Sequence, residues 1–145
     1  MSGPRSVLLA AFKACLERIK VVDGYETDAG LVATLEPAPV LAEDGRAFLT
    51  IVWERQARAS DPALLRSHRL TTVRVIAKLQ ADSTEAQAWI DAVATDIERA
   101  MADQRFRFPV GYQFPQYQSA EPLTGPPASG WVGVIFTFTS HTPIR

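Results

Sequence analysis

The stretch Arg69-Leu-Thr-Thr-Val-Arg-Val-Ile-Ala-Lys-Leu79 decides the fold of this chain. It is dense in β-branched residues, which favour a strand with a half-buried face. Side chains alternate between the two faces of a strand, so one predicted face is uncharged and the other is mixed. The uncharged face holds Thr71, Val73, Val75, Ala77 and Leu79, and the mixed face holds Leu70, Thr72, Arg74, Ile76 and Lys78. The sequence therefore predicts a long strand that turns one side to the core.

An amphipathic helix is predicted directly after this strand. Asp82 and Glu85 have the spacing of a capping box. An apolar stripe then recurs at helical spacing, with Trp89 beside it. The stripe consists of Ala86, Ile90, Val93, Ile97, Ala100 and Met101. No other pair of elements offers as much apolar surface, so residues 68–101 are predicted to form the main core unit.

Composition favours one ordinary domain over residues 1–145. The chain is 47% hydrophobic and 21% charged, with a formal net charge of -1, so no global charge attracts nucleic acid or anionic lipid. The lone Cys15 excludes an internal disulfide framework, fits a reducing compartment, and is expected to be a small core residue. We expect neither a signal peptide nor a membrane span, because charged residues follow the first apolar run at once. These features predict a protein made in a cytoplasm.

The remaining elements predict an α+β fold. Residues 4–21 form a helix with one apolar stripe, which includes Leu8, Phe12 and Cys15. Short strands are predicted at residues 31–35, 48–54 and 130–142, with a further possible strand at 117–122. Such segregated elements favour a mainly antiparallel or mixed sheet with both helices packed on one face.

Catalytic and cofactor chemistry finds no support in the motifs. His68, His141 and Cys15 lack metal-ligand spacing. Ser140 precedes His141, but no glycine-flanked elbow presents a serine nucleophile. No Gly-Lys-Ser/Thr follows the glycines, as a phosphate-binding loop would require. We therefore predict no catalytic, cofactor-binding or metal-binding residue.

Interaction residues are predicted among arginines and among aromatic residues. Residues 55–69, here called the basic segment, hold four arginines against one aspartate. The segment is either a solvated loop or an arm that reaches a neighbouring subunit or a nucleic-acid backbone, since arginine makes forked bonds to carboxylate and phosphate. Trp53 and Trp89 are expected in the core, whereas Trp131 is out of phase with its strand. The subunit-interface candidates are Arg55, Arg58, Arg66, Arg69, Tyr117 and Trp131.

A turn-rich segment at residues 23–30, here called the link, carries a family resemblance. Its Gly-Tyr-x-Thr-Asp-x-Gly pattern comprises Gly24, Tyr25, Thr27, Asp28 and Gly30, and Asp-Ile (96–97) lies in the later helix. With the order of elements and the chain length, this pattern resembles the tail terminator proteins of long-tailed bacteriophages and prophages. The resemblance implies a mixed sheet with helices on one side. It also implies a virion protein without enzymatic activity or cofactor.

The same resemblance implies an assembly role. Tail terminators form a hexameric ring at the head-proximal end of the tail, stop the polymerising tail tube and provide the surface to which the head docks. The implied partners are further copies of the chain, the tail tube protein and the head–tail connector. DNA would pass through the ring without sequence-specific binding, and the ring would be assembled in the host cytoplasm.

Other functions remain open from the residues alone. Within the same class, the chain could be a neck or tail-completion protein that joins head to tail, or a tube subunit. Outside it, the proline- and aromatic-rich residues 103–127 could be the lid of a small enzyme or ligand-binding domain. The basic segment could instead make the chain a nucleic-acid-binding module.

Overall fold

The described part of the chain folds into a five-stranded sheet with two α-helices, an α+β fold. The structure is a computed structural model that describes residues 3–35, 48–80, 83–103, 105–124 and 131–144. The helices are α1 (Pro4–Leu16) and α2 (Ser83–Ala102). The strands are β1 (Ala33–Thr34), β2 (Phe48–Arg58), β3 (His68–Gln80), β4 (Gln116–Thr124) and β5 (Trp131–Pro143).

The sheet has the order β1-β2-β3-β5-β4. Strand β1 runs parallel to β2, and the other three pairings are antiparallel. The sheet is therefore mixed, as predicted. Strand β3 is central and pairs with β5 along its whole length, from His68 opposite Pro143 to Gln80 opposite Trp131.

One face of the sheet makes the core with both helices. The register places Ile51, Val75 and Phe136 in one row across three strands. All three are fully buried and join one cluster with helical residues. The helical members are Leu8, Phe12, Cys15 and Leu16 of α1, and Val93, Ile97, Ala100 and Met101 of α2. The inner face and the helical stripes predicted from periodicity are thus confirmed.

Helix α1 ends earlier than predicted. Its last residue is Leu16, with Glu17 as the C-cap, whereas the apolar pattern predicted a helix to residue 21. Beyond the helix, the Ile19 carbonyl accepts a tertiary hydrogen bond from the Gly30 N–H at 2.9 Å. Ile19 is still fully buried. The apolar periodicity therefore continued past the helix because a non-helical residue also packs into the core.

Three further boundaries differ from the sequence predictions. The strand expected at residues 31–35 is only Ala33–Thr34, preceded by a 3-10 turn at Ala29–Val32. Strand β2 continues to Arg58 instead of ending at Glu54, because a bulge between Trp53 and Arg55 lets its pairing with β3 resume. Strand β4 extends to Thr124, beyond the suggested 117–122. The predicted Asp82–Glu85 capping box lies outside the residues described in side-chain detail.

No helix in the described part of the chain is long and apolar enough to cross a membrane.

Gly133 tests the close contact between β3 and β5. A Cβ at this position would overlap the backbone oxygen of Ala77. We expect Gly133→Ala to lower the free energy of unfolding by about 2 kcal/mol or more, because the strands must separate to admit the methyl group. Urea denaturation measures the loss. Gly3→Ala, where a Cβ meets nothing within 4 Å, is the control and should cost less than about 1 kcal/mol.

Candidate assembly surfaces

The link is fixed to α2 by a buried carboxylate. Asp96 is fully buried. Its two oxygens accept hydrogen bonds from the backbone N–H groups of Glu26, at 2.9 Å, and Thr27, at 2.7 Å. The Thr27 hydroxyl donates to the same carboxylate at 2.7 Å. A buried charge is stable only when it is fully hydrogen-bonded, so these three bonds determine where the chain leaves α1 and enters the sheet.

Other residues of the link pattern have distinct positions in this arrangement. Gly24 has φ +93°, a left-handed backbone conformation that residues other than glycine rarely adopt. Arg99 donates to the Gly24 carbonyl at 3.1 Å, and its guanidinium lies 4.8 Å from the Tyr25 ring centroid. A Cβ at Gly30 would meet the Glu17 carbonyl oxygen at 2.6 Å. The pattern that carried the family resemblance is therefore a structural joint.

A second polar cluster joins the ends of α1 and α2. Arg18 donates to the carboxylate of Asp103 at 2.8 Å and to the carbonyls of Cys15 and Ala100 at 3.0 Å each. Its guanidinium also stacks on Phe106, 4.7 Å from the ring centroid. This one side chain thus connects both helix ends to the aromatic residues that follow α2.

The pKa values of Cys15 and Asp103 are displaced in this cluster. Burial raises the pKa of the Cys15 thiol, so the thiol stays protonated and donates to the Ala100 carbonyl at 3.3 Å. Hydrogen bonds from Arg18 and then from Arg105 hold the pKa of Asp103 well below its usual range. The prediction that Cys15 is a buried core residue is confirmed.

Both ends of the basic segment lie in strands. Residues 55–58 belong to β2 and residues 68–69 to β3, so only residues 59–67 connect them. The long connection predicted from the sequence was wrong in its boundaries, because the ladder tolerates the bulge before Arg55. Within the connection, Asp61 accepts from Ala63 N–H and starts a 3-10 turn at Pro62–Leu64.

The four arginines of the basic segment lie at this end of the sheet and are exposed. Arg55 and Arg58 are on β2, and Arg58 is paired in register with Arg69 on β3. Arg69 donates to the carbonyls of His68 and Leu65. Arg66 lies in the connection. In the described part of the chain, none of the four has an ion-pair partner.

His141 of β5 binds the start of the connection between β2 and β3. The Ser60 N–H donates to His141 Nε2 at 3.2 Å, so Nδ1 carries the proton and donates to Gln113 Oε1 at 2.9 Å. Ser60 Oγ also lies 3.2 Å from Nε2. The Ser140 hydroxyl, considered with His141 in the sequence, donates instead to the Gln113 carbonyl at 2.6 Å. These contacts attach the connection to β5 and to the loop before β4.

The aromatic candidates have different environments. Tyr117 is 55% exposed at the start of β4. The core prediction for Trp53 was wrong: the ring lies on the inner face of β2 but is 45% exposed, and Arg5 stacks beside it, 5.5 Å from its centroid. Trp89 is half-buried against the core. The side chain of Trp131 lies outside the described residues.

The sheet face that turns away from the helices, here called the outer face, is mixed. Val52, Ile76 and Ile135 are half-buried on it. Arg74 makes two bonds to the Glu54 carboxylate, at 2.7 and 2.8 Å, across β2 and β3. Alternation predicted these side chains on one face, and the register confirms it.

Sequence reasoning missed the two residues that organise the loops. Asp96 was noted only as part of an Asp-Ile pair, although an acidic residue on the apolar side of a helical stripe was a detectable signal. Gln113 had no signal, because its bonds to His141 join positions 28 residues apart through the fold.

Comparison with known proteins gives a structural likeness. No protein-family model and no curated protein matches the chain. Among solved structures, the fold is similar to a chain from the virion of a native gene transfer agent particle. The two superpose with a TM-score of 0.62 at 14% sequence identity, over 92% of this chain and 96% of that chain. At this identity the likeness shows a shared fold.

Asp96→Asn tests the joint between the link and α2. The amide would turn an N–H₂ group toward donors, so at least one buried bond is lost. We expect the free energy of unfolding to fall by about 3 kcal/mol, measured by urea denaturation. Asp91→Asn, an exposed position on the same helix, is the matched control and should change it by less than about 0.5 kcal/mol. Equal effects of the two variants would contradict the joint.

Asp103→Asn tests the cluster around Arg18. A carboxyl group whose pKa is lowered on folding stabilises the native state above its unfolded pKa, about 3.9, and this contribution is lost as the pH falls below that value. We expect the variant to be less stable than the wild type at pH 7 and the difference to shrink steadily between about pH 5 and pH 2. Unfolding curves across this range measure it. A difference independent of pH would contradict the ionic contribution.

Proposed function

We propose that the protein is a structural component of a phage-like virion, and that it acts there as a tail terminator. Six copies form a ring at the head-proximal end of the tail. The ring caps the tail tube, ends its polymerisation and provides the surface to which the head docks. Its partners are further copies of itself, the tail tube protein and the head–tail connector, and DNA passes through it without sequence-specific binding.

The fold likeness carries this proposal. It extends over nearly the full length of both chains and joins this protein to one that is part of a gene transfer agent virion. A likeness over 92% of this chain leaves little of it for a separate catalytic domain. The finer role, tail terminator, rests on the resemblance of the link pattern and the element order.

The residues of the link pattern that carries this resemblance have defined structural roles. Gly24, Thr27 and Gly30 have distinct structural duties, and Thr27 meets Asp96 across 69 residues of sequence. Because these residues connect α1 to α2, the pattern forms its contacts only when the whole fold is present. This supports reading the pattern as a feature of a fold family.

The polar groups that could suggest catalysis have structural partners. The Ser60–His141–Gln113 arrangement contains a hydroxyl, an imidazole and an amide in hydrogen-bond order. However, the Ser60 backbone N–H donates to the same Nε2 that would have to act as the general base. The arrangement therefore fits a clasp for the connection, and we propose no catalytic role for the protein.

The interface candidates keep their proposed roles in assembly. Arg55, Arg58, Arg66 and Arg69 form an exposed basic end of the sheet, which suits carboxylate-bearing surfaces on neighbouring proteins. Tyr117 adds an exposed aromatic ring, and Trp131 remains a proposed contact. Arginine and tyrosine are both enriched in protein–protein interfaces.

Deletion of the gene in a particle-producing strain tests the terminator role. We expect tails of abnormal length that lack heads, seen by negative-stain electron microscopy, because nothing stops tube polymerisation. Complementation with the wild-type gene should restore normal length. Tails of normal length without heads would identify a joining protein instead, and the absence of any tube would identify a tube subunit.

A further inference from the structure

In the described part of the chain, the sheet has two unpaired strand edges, on β4 and on β2 beyond its short pairing with β1. Among the described residues, β4 pairs only with β5, and β2 pairs only with β3 from Ile51 onward. Unpaired edges present rows of backbone donors and acceptors that other chains can bind. Pro122 removes a donor near the end of β4, because a proline in a strand is tolerated only where it leaves the ladder intact. The usable edge of β4 is therefore residues 116–121.

The two edges are complementary in direction. Three successive antiparallel pairings, β2 with β3, β3 with β5 and β5 with β4, make β2 and β4 run in opposite directions. In a ring with rotational symmetry, every copy keeps the same strand direction relative to the axis. Strand β4 of one copy therefore meets β2 of the next in the antiparallel sense, which allows a regular ladder.

The two edges are also complementary in charge. Arg55 on β2 pairs with Thr72, and Glu121 on β4 pairs with Ile135, so both side chains lie on the outer face. Both are exposed, and neither has an ion-pair partner in the described part of the chain. Pairing two β2 edges or two β4 edges would place like charges on the same side. Pairing β2 of one copy with β4 of the next places Arg55 and Glu121, of opposite charge, on the same outer face.

The inner face offers an apolar contact at the same junction. Trp53 on β2 and Tyr117 on β4 are half-exposed, and both lie on the helix side of the sheet. Beside Tyr117, a groove of about 250 Å³ opens between α2 and the start of β4, lined by Met101, Ala102 and Phe138 among others. Head-to-tail pairing brings the neighbour's aromatic ring to the side of the sheet where this groove lies.

We propose that copies of this chain join by adding the β2 edge of one subunit to the β4 edge of the next. The occupant of each free edge is thus a second copy of the chain, and the sheet continues from subunit to subunit. The proposal rests on the ring-forming function proposed above and identifies the surface that builds the ring. Trp53 and Tyr117 become buried at the junction, on the helix side.

Disulfide cross-linking tests the junction. Ser119 of β4 and Val52, Arg55 and Ala57 of β2 all lie on the outer face. Three double variants, in a Cys15→Ala background, pair Ser119→Cys with a cysteine at each β2 position and so sample three registers. We expect one pair to give a ladder of oligomers on a non-reducing gel after mild oxidation. The yield of cross-linked oligomers from that pair should exceed the yield from a control pair, Trp53→Cys with Ser119→Cys, by roughly tenfold, because only facing cysteines can bridge.

The controls separate the possible outcomes. Trp53→Cys with Ser119→Cys places the thiols on opposite faces and should not cross-link. Dimers from the Ser119→Cys single variant would show a two-fold β4–β4 contact and overturn the proposal, as would monomers in all three registers. Native mass spectrometry before oxidation tests the ring separately. A six-copy species without cross-links would overturn the edge junction and leave the ring-forming function standing.

Discussion

The fold depends on the burial of one face of the central strand β3. Val73, Val75 and Ala77 are covered on that face by both helices, and β2 and β5 extend the same apolar row on either side. Because a strand alternates its side chains, burying one face leaves the opposite face available. The sheet therefore has a sealed inner side, a mixed outer side and two edges. The mixed outer side and the edges are the surfaces of the sheet that neighbouring proteins can contact.

Three polar contacts then attach the irregular segments to this core. Asp96 holds the link, Arg18 joins the helix ends to the aromatic residues after α2, and His141 holds the β2–β3 connection. Asp96 of α2 and His141 of β5 hold loop residues, whereas Arg18 lies just after α1 and bonds to both helices and to Asp103. Loops that are fixed in this way present stable surfaces, which lowers the entropy cost of assembly. The protein thus resembles a rigid building block in its construction.

Local patterns predicted the regular elements well and their ends poorly. Alternation in residues 69–79 and helical spacing up to Met101 identified both the elements and their buried sides. The end of α1 was wrong because Ile19 is buried outside the helix. The end of β2 was wrong because the Trp53–Arg55 bulge is stabilised by pairing with β3. Trp53 was assigned to the core from its phase, yet phase does not reveal that β2 is near the edge of the sheet.

The sequence by itself determined the α+β class, the inner faces of the strands and helices, and the pattern of the link. These properties follow from periodicity and from residues with distinctive conformational properties, such as Gly24, which tolerates a left-handed backbone. Only the tertiary structure decided that Thr27 meets Asp96, that Gln113 meets His141 and that β2 and β4 run in opposite directions. The reason is physical: each depends on groups far apart in the chain, and sequence spacing does not encode which of them the folded backbone brings together.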